Sequence, residues 1–123
     1  MSKRILVVDD NADIREMMQV YISSLGLTVI SARDGIEGIE AAKTHIPDLI
    51  VTDASMPKMD GIEMTNRLRA LPQFISTPII IVTGKSSAVE DEAVRLGPTL
   101  VLLKPVPPTS LAAKINELLP PAS

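Results

Sequence analysis

The chain contains no cysteine, which excludes disulfides, thiolate metal sites and cysteine nucleophiles together. Aromatic residues are almost as scarce, with Tyr21 and Phe74 alone. The core must therefore be aliphatic, and no array of rings is available to stack on the bases of a single-stranded nucleic acid. A surplus of either charge is missing too. Twelve Lys and Arg stand against fifteen Asp and Glu for a net charge of −3, and the cations are scattered rather than gathered into a stripe. Direct binding to nucleic acid is not expected. Nor is there a long hydrophobic run at the start: after Lys3 and Arg4, only Ile5 to Val8 precede two aspartates, too short for a signal peptide or a membrane span. A cytoplasmic protein without membrane contact is the expectation.

What is present is the composition of a globular protein, 46% hydrophobic and 22% charged over 123 residues. That length suits one domain over residues 1–123, with 120–123 as a tail or the start of a linker. Four short runs, RILVV (4–8), DLIVT (48–52), PIIIVT (78–83) and TLVLLK (99–104), are continuous rather than alternating. They predict strands buried on both faces, the pattern of a parallel sheet covered by helices. A fifth run, TVISA (28–32), alternates more and suits an edge strand.

Helical spacing fills the intervals. The first helix carries Ile14, Met17, Met18, Ile22 and Leu25 between an Asn11 cap and a Gly26 stop. A second covers 35–45 with Ile36, Ile39 and Ala41 or Ala42 inward. A third covers 61–71 with Ile62, Met64, Leu68 and Leu71, and a fourth runs from Ser87 to Leu96. The fifth starts at Thr109 or Ser110 as cap and continues through Leu111, Ile115, Leu118 and Leu119 to Pro120-Pro121. Five β-α repeats predict an α/β, doubly wound, five-stranded parallel sheet with five helices on both faces. Of the known strand orders, 2-1-3-4-5 fits best.

The polar residues of interest close strands: Asp9 and Asp10 after the first, Asp53 after the third, Thr83 at the end of the fourth, Lys104 at the end of the fifth. Ligands of open α/β sheets bind outside these carboxyl ends, where the strand order reverses, here between strands one and three. Three acids meeting there raise one another's pKa unless a cation is present. With oxygen donors only, a hard cation such as Mg²⁺ is the natural occupant. Mg²⁺ suggests phosphate, and a carboxylate can itself attack phosphorus while a hydroxyl and an ammonium neutralise the transferring group. Each residue has an ordinary reading alone, as helix cap, strand end or solvated lysine. Their coincidence at four strand ends gives the pattern its weight.

Over nearly its whole length the sequence resembles the receiver domains of two-component response regulators, including single-domain regulators of the chemotaxis kind. The resemblance rests on ILVVDD (5–10), ARDGIEG (32–38), DLIVTDASMPKMDG (48–61), PIIIVTG (78–84) and LLKP (102–105), in order and at these spacings. It implies the flavodoxin-like order 2-1-3-4-5, so that order is not an independent reading. It also implies that Asp53 accepts a phosphoryl group from a histidine kinase or histidine phosphotransfer protein. Asp10 would bind Mg²⁺ directly, Asp9 through water or by positioning, and Asp53 and the backbone carbonyl of Ser55 would complete the set. Thr83 and Lys104 would hold phosphoryl oxygens, Lys104 next to a cis bond to Pro105, and Gly84 would leave room for the donor. The expected output is a downstream protein bound by the surface of the fourth helix, fifth strand and fifth helix, with a phosphorylation-dependent dimer as a further option.

Several positions depart from the family pattern. The residue three before the lysine, often Tyr or Phe, is Val101, so the usual ring cannot report the state of Thr83. Lys85 is a variable position where a cation could alter the lifetime of the acyl phosphate. Pro98 stands beside the fifth strand, and Leu100 and Leu102 suit either a partner surface or packing under helices. Tyr21 suits helix packing, and His45, near a helix end, carries no expected chemistry. The chain is expected to be a signalling switch with at most slow self-dephosphorylation, not an enzyme. The alternative, favoured by Val101 alone, is a phosphorylation-independent interaction module on the same fold. A phosphatase of the aspartate-nucleophile kind would place an acid where Ser55 stands.

Overall fold

Runs of β-branched residues, which pack well on a pleated surface, become the five strands. They are β1 (Arg4–Val8), β2 (Thr28–Ala32), β3 (Leu49–Asp53), β4 (Ile79–Thr83) and β5 (Thr99–Leu103). The computed structural model describes residues 3–84, 92–93 and 95–119. All pairings are parallel and the order is β2-β1-β3-β4-β5, with β2 and β5 at the edges. The helices are α1 (Ala12–Ser24), α2 (Gly35–His45), α3 (Gly61–Arg69) and α4 (Pro108–Leu118), with a 3-10 turn over Pro72–Phe74. The helix expected over 87–96 lies largely outside the described residues, of which Glu92 and Ala93 are helical. The described residues thus hold four α-helices where five were expected.

Because side chains alternate along a strand, the sheet builds two cores. One joins Leu6, Val8, Ile50, Ile79 and Ile81 to Ala42 of α2 and to Met64 and Leu68 of α3, with Phe74 filling the layer. The other joins Ile5, Val7, Leu49, Val51, Ile80 and Val82 to Ile22 of α1 and to Leu111 and Ile115 of α4. Leu100 and Leu102 pack against this second core, so of their two expected roles the structure places them under helices. Val101 faces the first core.

Local chemistry fixes the helix ends. Asn11, Asp34 and Asp60 cap α1, α2 and α3, each accepting a bond from the backbone N–H three residues on. Four expectations need correction. Met17 and Leu25 are exposed, Leu25 as the residue that ends α1, so the buried side of α1 is Ile22 with Met18 beside it. Ile36 is 49% exposed, because the buried stripe of α2 is Gly35, Gly38 and Ala42. A Cβ on Gly38 would stand 2.6 Å from Met64 Sδ and 3.2 Å from Val8, so small residues let α2 lie close on the sheet. The third helix ends at Arg69, and Leu71 instead opens the 3-10 turn. The last helix begins at Pro108 rather than after Thr109 or Ser110, since proline at the first helical position has the right φ and no N–H to leave unpaired.

At the amino end of the sheet, Arg69 ties three segments together. Its guanidinium donates to the carbonyls of Leu96 (2.6 Å), Phe74 and Pro98 (3.0 Å), and to Thr99 Oγ1 (3.2 Å). Burial lowers its pKa, but the guanidinium stays charged. Arg69→Met strands these carbonyls and is expected to lower the free energy of unfolding by about 2 kcal/mol in urea titrations. A loss below about 0.5 kcal/mol would mean that water replaces the guanidinium at no cost.

Candidate functional site

Strand register delivers the site. Val8 pairs with Thr52 across β1 and β3, so the residues that follow them, Asp9 and Asp53, emerge side by side. Backbone bonds extend the ladders into this edge: Asp9 N–H donates to Ala32 O (3.1 Å), Ala54 N–H to Val82 O (2.9 Å) and Lys104 N–H to Thr83 O (2.8 Å). The carboxylates of Asp9, Asp10 and Asp53 come within 4.8 Å of one another, with Asp9 and Asp53 buried and Asp10 exposed. Lys104 Nζ lies 3.1 Å from Asp53 Oδ1. Thr83 is buried at the end of β4, Gly84 is exposed with open space where a Cβ would stand, and Ser55 is exposed in the loop after β3. The Lys104-Pro105 bond is cis. Lys85 lies outside the described residues. His45 closes α2 at the opposite end of the sheet, its carbonyl bonded by Arg4 Nη1 at 2.7 Å.

The acids outnumber the cations around them. Burial, and then the charges of Asp53 and Asp10, raise the pKa of Asp9, against a backbone N–H from Asn11 and the Lys104 ammonium. Three carboxylates against one ammonium, with only oxygen donors, fit a hard divalent cation that keeps some of its water.

The loop over 54–60 is held from both sides, in ways the sequence patterns left unexplained. Gly61 N–H donates to Ala54 O at 2.9 Å, and a Cβ on Gly61 would collide with the Asp53 carbonyl. Gly35 likewise makes room for Met59, whose carbonyl would be 2.7 Å from an added Cβ. Lys58, in the left-handed region at φ 67°, reaches Asp34 Oδ2 at 3.9 Å. The visible signal was the Asp-x-x-Glu pattern at 34–37 and again at 60–63, an N-terminal helix signature.

Residues 5–116 match the response regulator receiver domain. The chain belongs to that family. It is 38% identical over 97% of its length to the alkaline phosphatase synthesis transcriptional regulatory protein PhoP of Bacillus subtilis, covering 49% of that protein. It is equally identical, again over 97% of its length, to the response regulator MprA of Mycobacterium ulcerans, covering 51% of it. The chain thus spans about half the length of these relatives. Among solved structures, the chemotaxis response regulator CheY4 of Vibrio cholerae superposes with a TM-score of 0.89 at 32% identity, covering 97% of this chain and 100% of that one. The receiver domain is a signalling domain of two-component phosphorelays rather than an enzyme in the ordinary sense.

Because folding raises the pKa of Asp9, its ionised form costs stability. That cost is absent below about pH 3.8, grows as the pH rises toward the raised pKa, and is complete above it. Asp9→Asn is therefore expected to raise the thermal midpoint of the metal-free receiver at pH 7. Calorimetry in a chelator checks this; a lower midpoint for the variant would show that Asp9 is not under net repulsion.

Proposed function

We propose that Asp53 is the phosphoacceptor of this receiver and takes its phosphoryl group from the phosphohistidine of a histidine kinase or histidine phosphotransfer protein. The observation that carries the reading is the contact of Lys104 Nζ with Asp53 Oδ1, 3.1 Å, inside a cluster of three carboxylates. An Asp53 oxygen attacks phosphorus and forms the O–P bond of an acyl phosphate. The P–N bond to the donor's imidazole breaks, and its electron pair stays on the ring nitrogen. Lys104 balances charge on one phosphoryl oxygen, and the Thr83 hydroxyl donates to another. Asp9, Asp10, Asp53 and the Ser55 carbonyl are the residues that would hold Mg²⁺. Bound there, Mg²⁺ supplies positive charge for the acids and for the transferring group.

The switch draws its energy from contacts that differ between the free and phosphorylated states. Thr83 and Lys104 supply such contacts at the ends of neighbouring strands, and their output face is α4, β5 and the segment over 87–96, where a protein partner binds. Hydrolysis of the acyl phosphate by the domain itself is slow, and the setting is the cytoplasm. No helix among the described residues is long and apolar enough to cross a membrane.

Incubation with acetyl phosphate and Mg²⁺, read by intact mass, is expected to give a single phosphoryl adduct. The adduct should disappear without Mg²⁺ and in Asp53→Asn. An adduct that survives in Asp53→Asn would move the acceptor elsewhere. No adduct from acetyl phosphate or from a phosphohistidine donor would leave an interaction module that signals by binding alone.

A further inference from the structure

The two cores are filled with different material. Phe74 lies in the layer beneath α2 and α3, whereas every fully buried side chain on the α1 and α4 side is Ile, Leu or Val. Tyr21, the other ring in the chain, is half-buried on α1. A cavity of about 150 Å³ lies there, walled by Met18, Tyr21 and Ile22 of α1, Val51 and Val82 of the sheet, and Leu111 of α4. Its polar wall is the site itself, Asp9, Asp53 and Lys104. Met17, Lys104 and Pro108, also in its lining, are exposed, so the cavity has a route to solvent between α1 and α4.

We propose that this cavity binds a small uncharged apolar molecule of single-ring size, and that its occupancy alters the affinity of the acid cluster for Mg²⁺. Away from the acids the walls are aliphatic and offer water few partners, so water there is poorly held and a benzene-sized guest can displace it. The guest gains by leaving water and by filling space that the surrounding side chains leave open. Charge on the guest is disfavoured, since the walls away from the acids have nothing to pair with it. The coupling follows from shared walls. Val82 is the strand partner of Asp53, and the side chains of Asp53 and Lys104 border the same space, so a guest restricts the side chains that the cation needs. Linkage makes this reciprocal: Mg²⁺ must change the affinity for the guest by the same factor. This coupling rests on the phosphoacceptor reading of the acid cluster, whereas binding of the guest does not.

The test is an NMR titration of the full chain with benzene. Saturable amide shifts confined to α1, α4 and the strand-end residues that line the cavity are expected, with a dissociation constant in the millimolar range, together with nuclear Overhauser contacts from benzene to the Leu111 methyls. Met18→Phe and, independently, Val106→Phe, at a residue that also lines the cavity, put a ring into it and should abolish the shifts. Saturating benzene should move the apparent Mg²⁺ affinity about twofold or more. Linear shifts, absent contacts to Leu111, or saturable shifts that persist in a folded filled variant overturn the cavity as a site. Saturable binding with unchanged Mg²⁺ affinity overturns the coupling. Titration with Mg²⁺ alone reports separately on the acid cluster, so its failure is not confused with failure of the cavity.

Discussion

Three carboxylates within 4.8 Å repel one another, and the chain brings them together by backbone register rather than by any attraction between them. Asp53 is the last residue of β3, and Asp9 follows directly on β1 with its N–H bonded to the carbonyl of Ala32. Neither can retreat without breaking sheet hydrogen bonds that lie over two apolar cores. The reversal of strand order between β1 and β3 sets the two ends next to each other with no strand between. Sheet stability is thus converted into local charge density. Among the described residues the ammonium that answers it, Lys104, comes from the far side of β4 and so ties the edge strand to the centre of the sheet.

With the acids fixed, the loops have little freedom. The segment from Ala54 to Asp60 must leave Asp53, turn, and start α3 almost on top of it, which is feasible because Gly61 carries no side chain to strike the Asp53 carbonyl. Gly35 does the same for Met59, so the β3–α3 loop leans on the start of α2 and the Asp34 cap lies within reach of Lys58. These contacts are made by backbone and small residues. Rigidity at the acid cluster is therefore a property of the neighbouring turns as much as of the acids.

β1, β3 and β4 were legible as continuous apolar runs because burial on both faces removes the alternation that would otherwise blur them, whereas β5, expected to be buried likewise, is a half-buried edge strand. The acids, Thr83 and Lys104 were legible because each directly follows or ends such a run. Three kinds of feature were not. Ile36 and Met17 look like core residues by hydrophobicity, but close packing of α2 through Gly35, Gly38 and Ala42 turns Ile36 outward, and Met17 lies beyond the buried side of α1. The start of α4 is set by a proline whose fit at the first helical position outranks the better side-chain caps that follow it. Arg69 bonds backbone carbonyls of segments distant in sequence, and no local pattern marks acceptors that only the tertiary fold gathers.

Parity along the strands bears on how a change at Asp53 travels. Leu100 and Leu102 face the α1 and α4 core, and Lys104 continues that alternation. Val101 faces the opposite core, as do Ile79 and Ile81 before Thr83. The two groups proposed to hold phosphoryl oxygens therefore belong to opposite faces of the sheet, and a phosphoryl group bridging them would act on both cores at once. In a receiver with an aromatic at position 101, a ring can follow the threonine. Val101 is short, stiff at χ1 and paired in register with Ile81, so it offers no comparable swing. In the switch proposed above, movement of Thr83 would pass through the backbone of β4 and β5, which Lys104 N–H and Thr83 O join at 2.8 Å.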